Sequence, residues 1–206
     1  MGNLARAAMA GLMAATVTAG AAAQTTGPRM VVHLRTVGIT GDVVVVAEGR
    51  VTRTFDAVGV SVTWKNDERT RTDTRDVMNI AVRSLSVDEL VPFVARSGIS
   101  RNALGLAVPQ AHQVYLFASR IEDVARASHL PMPVILARVL AHELGHVLLG
   151  ASHSDTGIMS AGVSRVPVEP TFTQAEGLSI RDSLTSGRML DVVSDERLRH
   201  RTLEAD

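Results

Sequence analysis

Residues 138 to 159, RVLAHELGHVLLGASHSDTGIM, constrain the chain more than any other stretch. They contain His142, Glu143 and His146 in the pattern H-E-x-x-H. On a helix, residues four apart are separated by about one turn, roughly 6 Å, so both imidazoles project from one face. Two histidines at this spacing can ligate one zinc ion, and the glutamate between them can lie beside a bound water as a general base. The pattern therefore predicts a helix that carries a metal site.

A third ligand is expected close to this helix, because catalytic zinc sites use three protein ligands and keep one position open. His153 follows Gly150, which is expected to end the helix in a left-handed conformation and to turn the chain back toward the metal. Residues Thr156 to Met159 then read as a tight turn that brings a methionine beneath the site.

This stretch resembles the metzincin metallopeptidases, whose signature is H-E-x-x-H-x-x-G-x-x-H followed by a turn that contains methionine. The matching residues are His142, Glu143, His146, Gly150, His153 and Met159. One additional residue stands before the glycine, and an added helical residue rotates the exit of the chain by about 100° and lengthens the helix by about 1.5 Å. The resemblance implies zinc as cofactor, the three histidines as its ligands, Glu143 as catalytic base and Met159 as a packing floor.

The additional residue leaves other third ligands open. Asp155 is the nearest substitute for His153. Glu169 and Glu176 are further candidates, because zincins that resemble thermolysin use a glutamate downstream of the helix.

The first 23 residues have Arg6 near the terminus, an apolar run, and Ala21-Ala22-Ala23 before Gln24. This composition predicts a secretory signal peptide, and hence a secreted or periplasmic protein with no stable membrane span after signal removal. The expected organisation is a signal peptide over 1–23, one zinc peptidase domain over 24–190, and a charged tail over 191–206. The chain has no cysteine, so packing and bound metal must stabilise it without disulfides.

Charge and aromatic content exclude several classes of partner. The 21 basic and 21 acidic residues balance, so no net field draws the chain to nucleic acid or to an anionic membrane. A single Trp and a single Tyr supply few rings for stacking on bases. The expected partner is a peptide or protein substrate, bound by a monomer.

Apolar patterning predicts strands and helices, the length allows a single domain, and the resemblance to metzincins implies an α/β (α+β) fold with a mixed twisted sheet. Strands are expected at 30–37, 60–64, 77–84, 103–108 and 113–118, with a short helix or loop over 86–102 and a helical turn over 119–128. The stretch from Asp42 to Gly59 is ambiguous, because Val43 to Val46 favour a strand whereas Val44, Ala47, Val51, Phe55 and Val58 have helical spacing. A helix with Asp42 as N-cap and Gly59 as stop is preferred.

Two further elements complete the expected domain. In proteins that resemble metzincins, an edge strand before the active-site helix pairs with extended substrate, and Leu104, Gly105, Leu106 and Ala107 occupy that place here. A C-terminal helix is predicted from the capping box of Thr173 and Glu176, with Ala175, Leu178, Ile180 and Leu184 as its apolar side.

The function implied by these features is that of a secreted zinc-dependent endopeptidase. The alternative is a secreted zinc-binding or interaction module that retains a degenerate metzincin site without turnover. A zinc-dependent hydrolase of amide bonds in small molecules or cell-wall peptides is a third reading.

Overall fold

The computed structural model describes residues 27–66, 77–160 and 171–186. These ranges contain five strands and five α-helices: β1 (Arg29–Arg35), α1 (Gly41–Asp56), β2 (Ser61–Lys65), β3 (Val77–Leu85), α2 (Val87–Ser97), β4 (Gly105–Val108), β5 (Gln113–Phe117), α3 (Ala118–Ser128), α4 (Met132–Leu149) and α5 (Gln174–Ser186). The predicted α+β domain with a mixed sheet is confirmed. The predicted signal peptide, residues 67–76 and the predicted charged tail lie outside the described residues.

The five strands form one sheet in the order β2-β1-β3-β5-β4. The first four are parallel neighbours, whereas β4 runs antiparallel to β5. Strand β4 therefore lies at an edge of the sheet, as predicted. The strand begins at Gly105, but the preceding carbonyl of Leu104 also accepts a hydrogen bond from the N–H of Phe117, at 2.9 Å.

Both faces of the sheet are covered by helices. One cluster of buried apolar side chains joins the sheet to α1, α3, α4 and α5. A smaller cluster on the opposite face packs Leu90 of α2 against Leu85 and Phe117. Alternation along β5 explains this division, because successive side chains of a strand point to opposite faces of the sheet. Leu116 belongs to the larger cluster, and the next residue, Phe117, belongs to the smaller one.

The ambiguous stretch is the helix α1. Its buried residues are Val44, Ala47, Val51 and Phe55, the apolar stripe that the helical spacing predicted. Burial of this stripe against β2 and α4 outweighs the weaker preference of valine for strands. The predicted end residues are wrong. Thr40 occupies the N-cap and Ala57 the C-cap, while Asp42 lies in the first turn, where a carboxylate is favoured by the helix dipole.

Helices α2 and α3 are longer than the sequence indicated. Each has 11 residues. At the start of α2, the N–H of Glu89 donates to the Ser86 hydroxyl, and the Glu89 carboxylate accepts from the Ser86 N–H. Pro92 inside α2 argued against a full helix, but the capping box and the left-handed Gly98 at the other end define it.

Helix α4 is the central element and packs against α1, α3, α5 and β4. It starts at Met132, and Pro133 takes the second helical position, where its missing N–H costs no intrahelical hydrogen bond. Within the described ranges it is the one helix long and apolar enough to cross a bilayer, yet 72% of it is buried inside the fold. This burial identifies α4 as a core helix. It also carries His142, Glu143 and His146.

The capping box that begins α5 is confirmed, but its predicted apolar side is partly wrong. The N–H of Thr173 donates to the Glu176 carboxylate at 2.7 Å. Leu178 and Ala175 are exposed, and the buried face instead includes Gly177, Ile180, Ser183 and Leu184. The rotation follows from Gly177, where an added Cβ would lie 2.8 Å from a methyl group of Val58, so α5 turns its glycine toward the turn that follows α1.

Val51→Ala tests the burial of α1. Val51 is fully buried, so we expect the substitution to lower the free energy of unfolding by about 2–3 kcal/mol through lost packing and a residual cavity. Val45, on the same helix, is 66% exposed, and Val45→Ala should change that free energy by less than about 0.5 kcal/mol. Urea denaturation of both variants gives the comparison, and equal losses would contradict the orientation of α1.

Candidate metal centre

His142 and His146 lie one turn apart on the face of α4 that borders a cavity. Their Nε2 atoms are 3.0 Å apart. The helix places them so because residues at positions i and i+4 are neighbours on one face. The two rings meet edge to face, with their centroids separated by 4.5 Å.

Each ring is oriented by a backbone carbonyl. The Nδ1 of His142 is 2.7 Å from the carbonyl oxygen of Ile158, and the Nδ1 of His146 is 2.8 Å from that of Gly150. A carbonyl oxygen only accepts hydrogen bonds, so both Nδ1 atoms carry the proton and donate it. In the neutral rings, both Nε2 atoms therefore present lone pairs to each other.

Both rings are held in the neutral form by their surroundings. Burial lowers the pKa of His142 to about 4, although its hydrogen bond to Ile158 opposes this. Burial also lowers the pKa of His146. Two facing lone pairs at 3.0 Å repel each other, and a cation between them removes the repulsion. Two nitrogen ligands of tetrahedral zinc are about 3.4 Å apart, so the pair fits such an ion.

His153 joins the same group although its side chain is exposed. One ligand atom from each of the three histidines lies within 4.8 Å of the others. The additional residue before Gly150 extends α4 to Leu149, and the chain then turns back at Gly150. Gly150 is not in the predicted left-handed helical conformation: it has φ 82° and ψ −164°, a region essentially reserved for glycine.

The two alternative third ligands that lie in the described ranges, Asp155 and Glu176, do not join this group. Within the described residues, the cluster of three possible metal donors consists of His142, His146 and His153. Asp155 is exposed and Glu176 caps α5, where its carboxylate accepts from Thr173. Glu169 lies outside the described residues.

Glu143 points into the same cavity and is 7% exposed. It packs against β4 so closely that a Cβ at Gly105 would lie 2.8 Å from its Cγ. Burial raises the pKa of Glu143 to about 7, and a hydrogen bond from the N–H of Ala107 opposes the rise. A carboxyl group near neutrality can both accept and return a proton, as general acid and base catalysis requires.

Met159 is buried and packs against α4, while its predicted place beneath the histidines stays a prediction. Its Sδ sits so close to Gly145 of α4 that any Cβ there would collide with it. The N–H of Ser154 donates to the Met159 carbonyl at 3.0 Å and closes the loop between these two residues. The carbonyl of the neighbouring Ile158 consequently faces His142.

The cavity has a volume of about 520 Å³ and runs between α4 and β4. All four predicted edge residues, Leu104, Gly105, Leu106 and Ala107, line it together with the three histidines and Glu143. Whether this edge binds substrate stays a prediction. His112 and His129 do not line the cavity. His112 follows a short 3-10 helix (Pro109–Ala111), His129 follows α3, and both have positive φ angles.

Arg138 also lines the cavity, and the sequence reasoning missed it. It is buried, and it precedes His142 by four residues on α4. That spacing was a readable signal, because residues four apart share a helix face.

The chain matches no protein-family model and no curated protein. Two solved structures are similar to it in fold. A zinc-dependent peptidase from Methanocorpusculum labreanum is 13% identical, with 72% of this chain and 99% of that one covered and a TM-score of 0.47. A Thermotoga maritima protein known from its solution structure is also 13% identical, with 81% and 99% covered and a TM-score of 0.39. Both scores are too low to transfer a function.

His153→Ala tests whether the third histidine is a ligand. Loss of even a hydrogen-bonding partner of a zinc ligand weakens affinity about 10–100-fold, so removal of the ligand itself should cost more than about 100-fold. Competition with a calibrated zinc chelator measures the change. Asp155→Ala, a neighbouring exposed position, should leave affinity unchanged. The reverse ranking would assign the third ligand to Asp155.

Proposed function

We propose that this chain is a zinc-dependent endopeptidase of the metzincin type. The observation that carries the proposal is the convergence of three imidazoles beside a buried carboxyl group in one cavity. A histidine pair with only a packing role does not require two unprotonated Nε2 atoms that face each other, or a desolvated glutamate beside them. The combination of nitrogen ligands and a neighbouring general base is the arrangement of hydrolytic zinc sites.

In this proposal His142, His146 and His153 hold the zinc ion. Three neutral imidazoles are ligands suited to zinc, and three protein ligands leave a position for water or substrate. When bound, zinc supplies a Lewis acid that lowers the pKa of a water molecule and polarises the carbonyl group of the peptide bond. The carbonyls of Ile158 and Gly150 keep the two buried rings in the tautomer that ligation requires.

Glu143 is the proposed general base. It accepts a proton from the attacking water and returns that proton to the leaving amine, so its carboxyl group must lie beside the ligands without being one of them. The contacts with Gly105 and Ala107 hold it there and keep water away from its far side. Met159 supports the helix from below at Gly145.

Strand β4 is the proposed binding edge for an extended peptide. It pairs with β5 on one side, and its other side borders the cavity. The N–H of Ala107 points away from β5 toward Glu143. Backbone groups along Leu104 to Ala107 that face the cavity can therefore add a peptide strand within reach of the base.

The proposal includes export from the cytoplasm, with a secreted or periplasmic location. Its support is the composition of residues 1–23, and the absence of cysteine is compatible with it because α4, the sheet and a bound metal can stabilise the domain without disulfides. A peptide or protein substrate and a monomeric state belong to the same proposal.

Glu143→Gln tests the chemistry. Glutamine keeps the shape of the side chain but cannot accept the proton, so kcat/KM for peptide hydrolysis should fall by about 100- to 10,000-fold. Zinc content, measured by elemental analysis on the same sample, should remain at the wild-type level because Glu143 is not a ligand.

Glu122→Gln is the matched control, since Glu122 is exposed on α3 and does not line the cavity. It should retain wild-type activity. A fully active Glu143→Gln variant would exclude this residue as the base. Zinc bound by a wild-type protein that cleaves no peptide in a broad library would favour the non-catalytic alternative.

Gly105→Ala tests the contact between the edge strand and the base. An alanine Cβ would lie 2.9 Å from Oε1 of Glu143, so the carboxyl group or the strand must shift. Misplacement of a reacting group by about 1 Å can cost on the order of 100-fold in rate, and we expect a loss of that size with zinc retained.

Gly41→Ala provides the control, because a Cβ at Gly41 meets no atom within 4 Å. In the Glu143→Gln background, Gly105→Ala should cause little further loss, since the group that it displaces has already lost its function. Additive losses in the double variant would show that Gly105 acts through something other than Glu143.

A further inference from the structure

Arg138 is a buried cation in the wall of the cavity, and the proposed hydrolysis does not use it. Its residue is 9% exposed. It lies on α4, and its position four residues before His142 puts it in line with both buried histidines. The guanidinium group therefore shares the helix face that carries the metal donors.

Arg138 lies close to the metal donors along α4. One helical turn of about 6 Å separates Arg138 and His142 along α4. A charge at this distance in a poorly solvated cavity acts strongly on any charged group that enters.

The other walls of the cavity offer little competition for an anion. Among the described residues that line it, Arg138 and Glu143 are the ones with a strongly basic or an acidic side chain. The remaining walls are apolar or carry neutral polar groups and the three histidines. Apart from a zinc ion held by the histidines, the guanidinium is therefore the positive charge that these described walls offer to a negative group of a ligand.

Burial of a guanidinium group is costly unless its N–H groups are paired. Arg138 also interacts within the protein. A guanidinium has five N–H donors, more than a single bidentate partner occupies, and its planar fork matches a carboxylate. The geometry thus favours a bidentate ligand group with two oxygens.

We propose that Arg138 binds a carboxylate of the substrate and makes the enzyme selective for an anionic group beside the cleaved bond. This inference rests on the proposed function. Because Arg138 and the histidines line one cavity and start from positions one helical turn apart, a group bound by Arg138 lies within a few residues of the cleaved bond. The carboxylate belongs to an Asp or Glu side chain next to the cleaved bond, or to a free C-terminus one residue beyond it.

Matched fluorogenic peptides distinguish these sources. One pair differs by Glu or Gln at the residues that flank the cleaved bond, each position being tested separately. A second pair, neutral at those positions, ends one residue beyond the bond as a free carboxylate or as an amide. We expect the wild-type enzyme to prefer the anionic member of at least one pair by about tenfold or more in kcat/KM, the factor of a charge-assisted hydrogen bond.

Substitution of Arg138 identifies the cause of this preference. Arg138→Met keeps much of the side-chain volume and should bring the ratio close to one, whereas Arg138→Lys keeps the charge and should retain part of it. Arg126→Met removes an exposed arginine on α3 that does not line the cavity, and it should leave the ratio unchanged. A wild-type ratio near one in every pair would overturn the proposal without any need for a variant.

Binding separates failure of this inference from failure of the proposed function. The same peptides are titrated into zinc-loaded Glu143→Gln protein, with and without Arg138→Met. Tighter binding of the anionic peptides that disappears with Arg138→Met supports the inference, whether or not the wild type cleaves them. Absence of cleavage by the wild type would contradict the peptidase proposal alone. If both backgrounds bind anionic and neutral peptides alike, or bind none of them, the inference is wrong whatever the activity.

Discussion

Two backbone hydrogen bonds hold the site together. The carbonyls of Ile158 and Gly150 accept from the Nδ1 atoms of His142 and His146, and this direction leaves two unprotonated Nε2 atoms face to face. Burial keeps the rings neutral, so the arrangement has no internal proton to relieve the repulsion. The turn that ends at Met159 positions the carbonyl of Ile158. The backbone at the end of α4 positions the carbonyl of Gly150.

The parts of the site that the sequence predicted are those governed by local geometry. Helical periodicity alone places His142 and His146 on one face, and the same periodicity outweighed the valine run in α1. The edge position of β4 and the capping box of α5 were also foreseen. The sequence also predicted that Gly150 ends α4 and that the short loop after it brings His153 back to the helix, although the conformation of Gly150 differs from the expected one.

The parts that sequence could not supply depend on contacts between distant segments. Nothing near Glu143 in the chain indicates that Gly105 will press against it, and the desolvation of its carboxyl group follows from that contact. The exposure of Leu178 likewise depends on how closely Gly177 approaches Val58. Arg138 was missed because a basic residue in an apolar helix has meaning only once the cavity beside it is known.

The three imidazoles all belong to the stretch 142–153, whereas the pocket around Glu143 is completed by a strand from far upstream. Gathering the imidazoles needs only a short loop closure, which has a small entropic cost, but forming the pocket needs β4 docked on the whole sheet. In the proposed function, a nascent or partly unfolded chain can thus bind its ion before the pocket of the general base has formed. The proposed peptidase activity then depends on completion of the sheet.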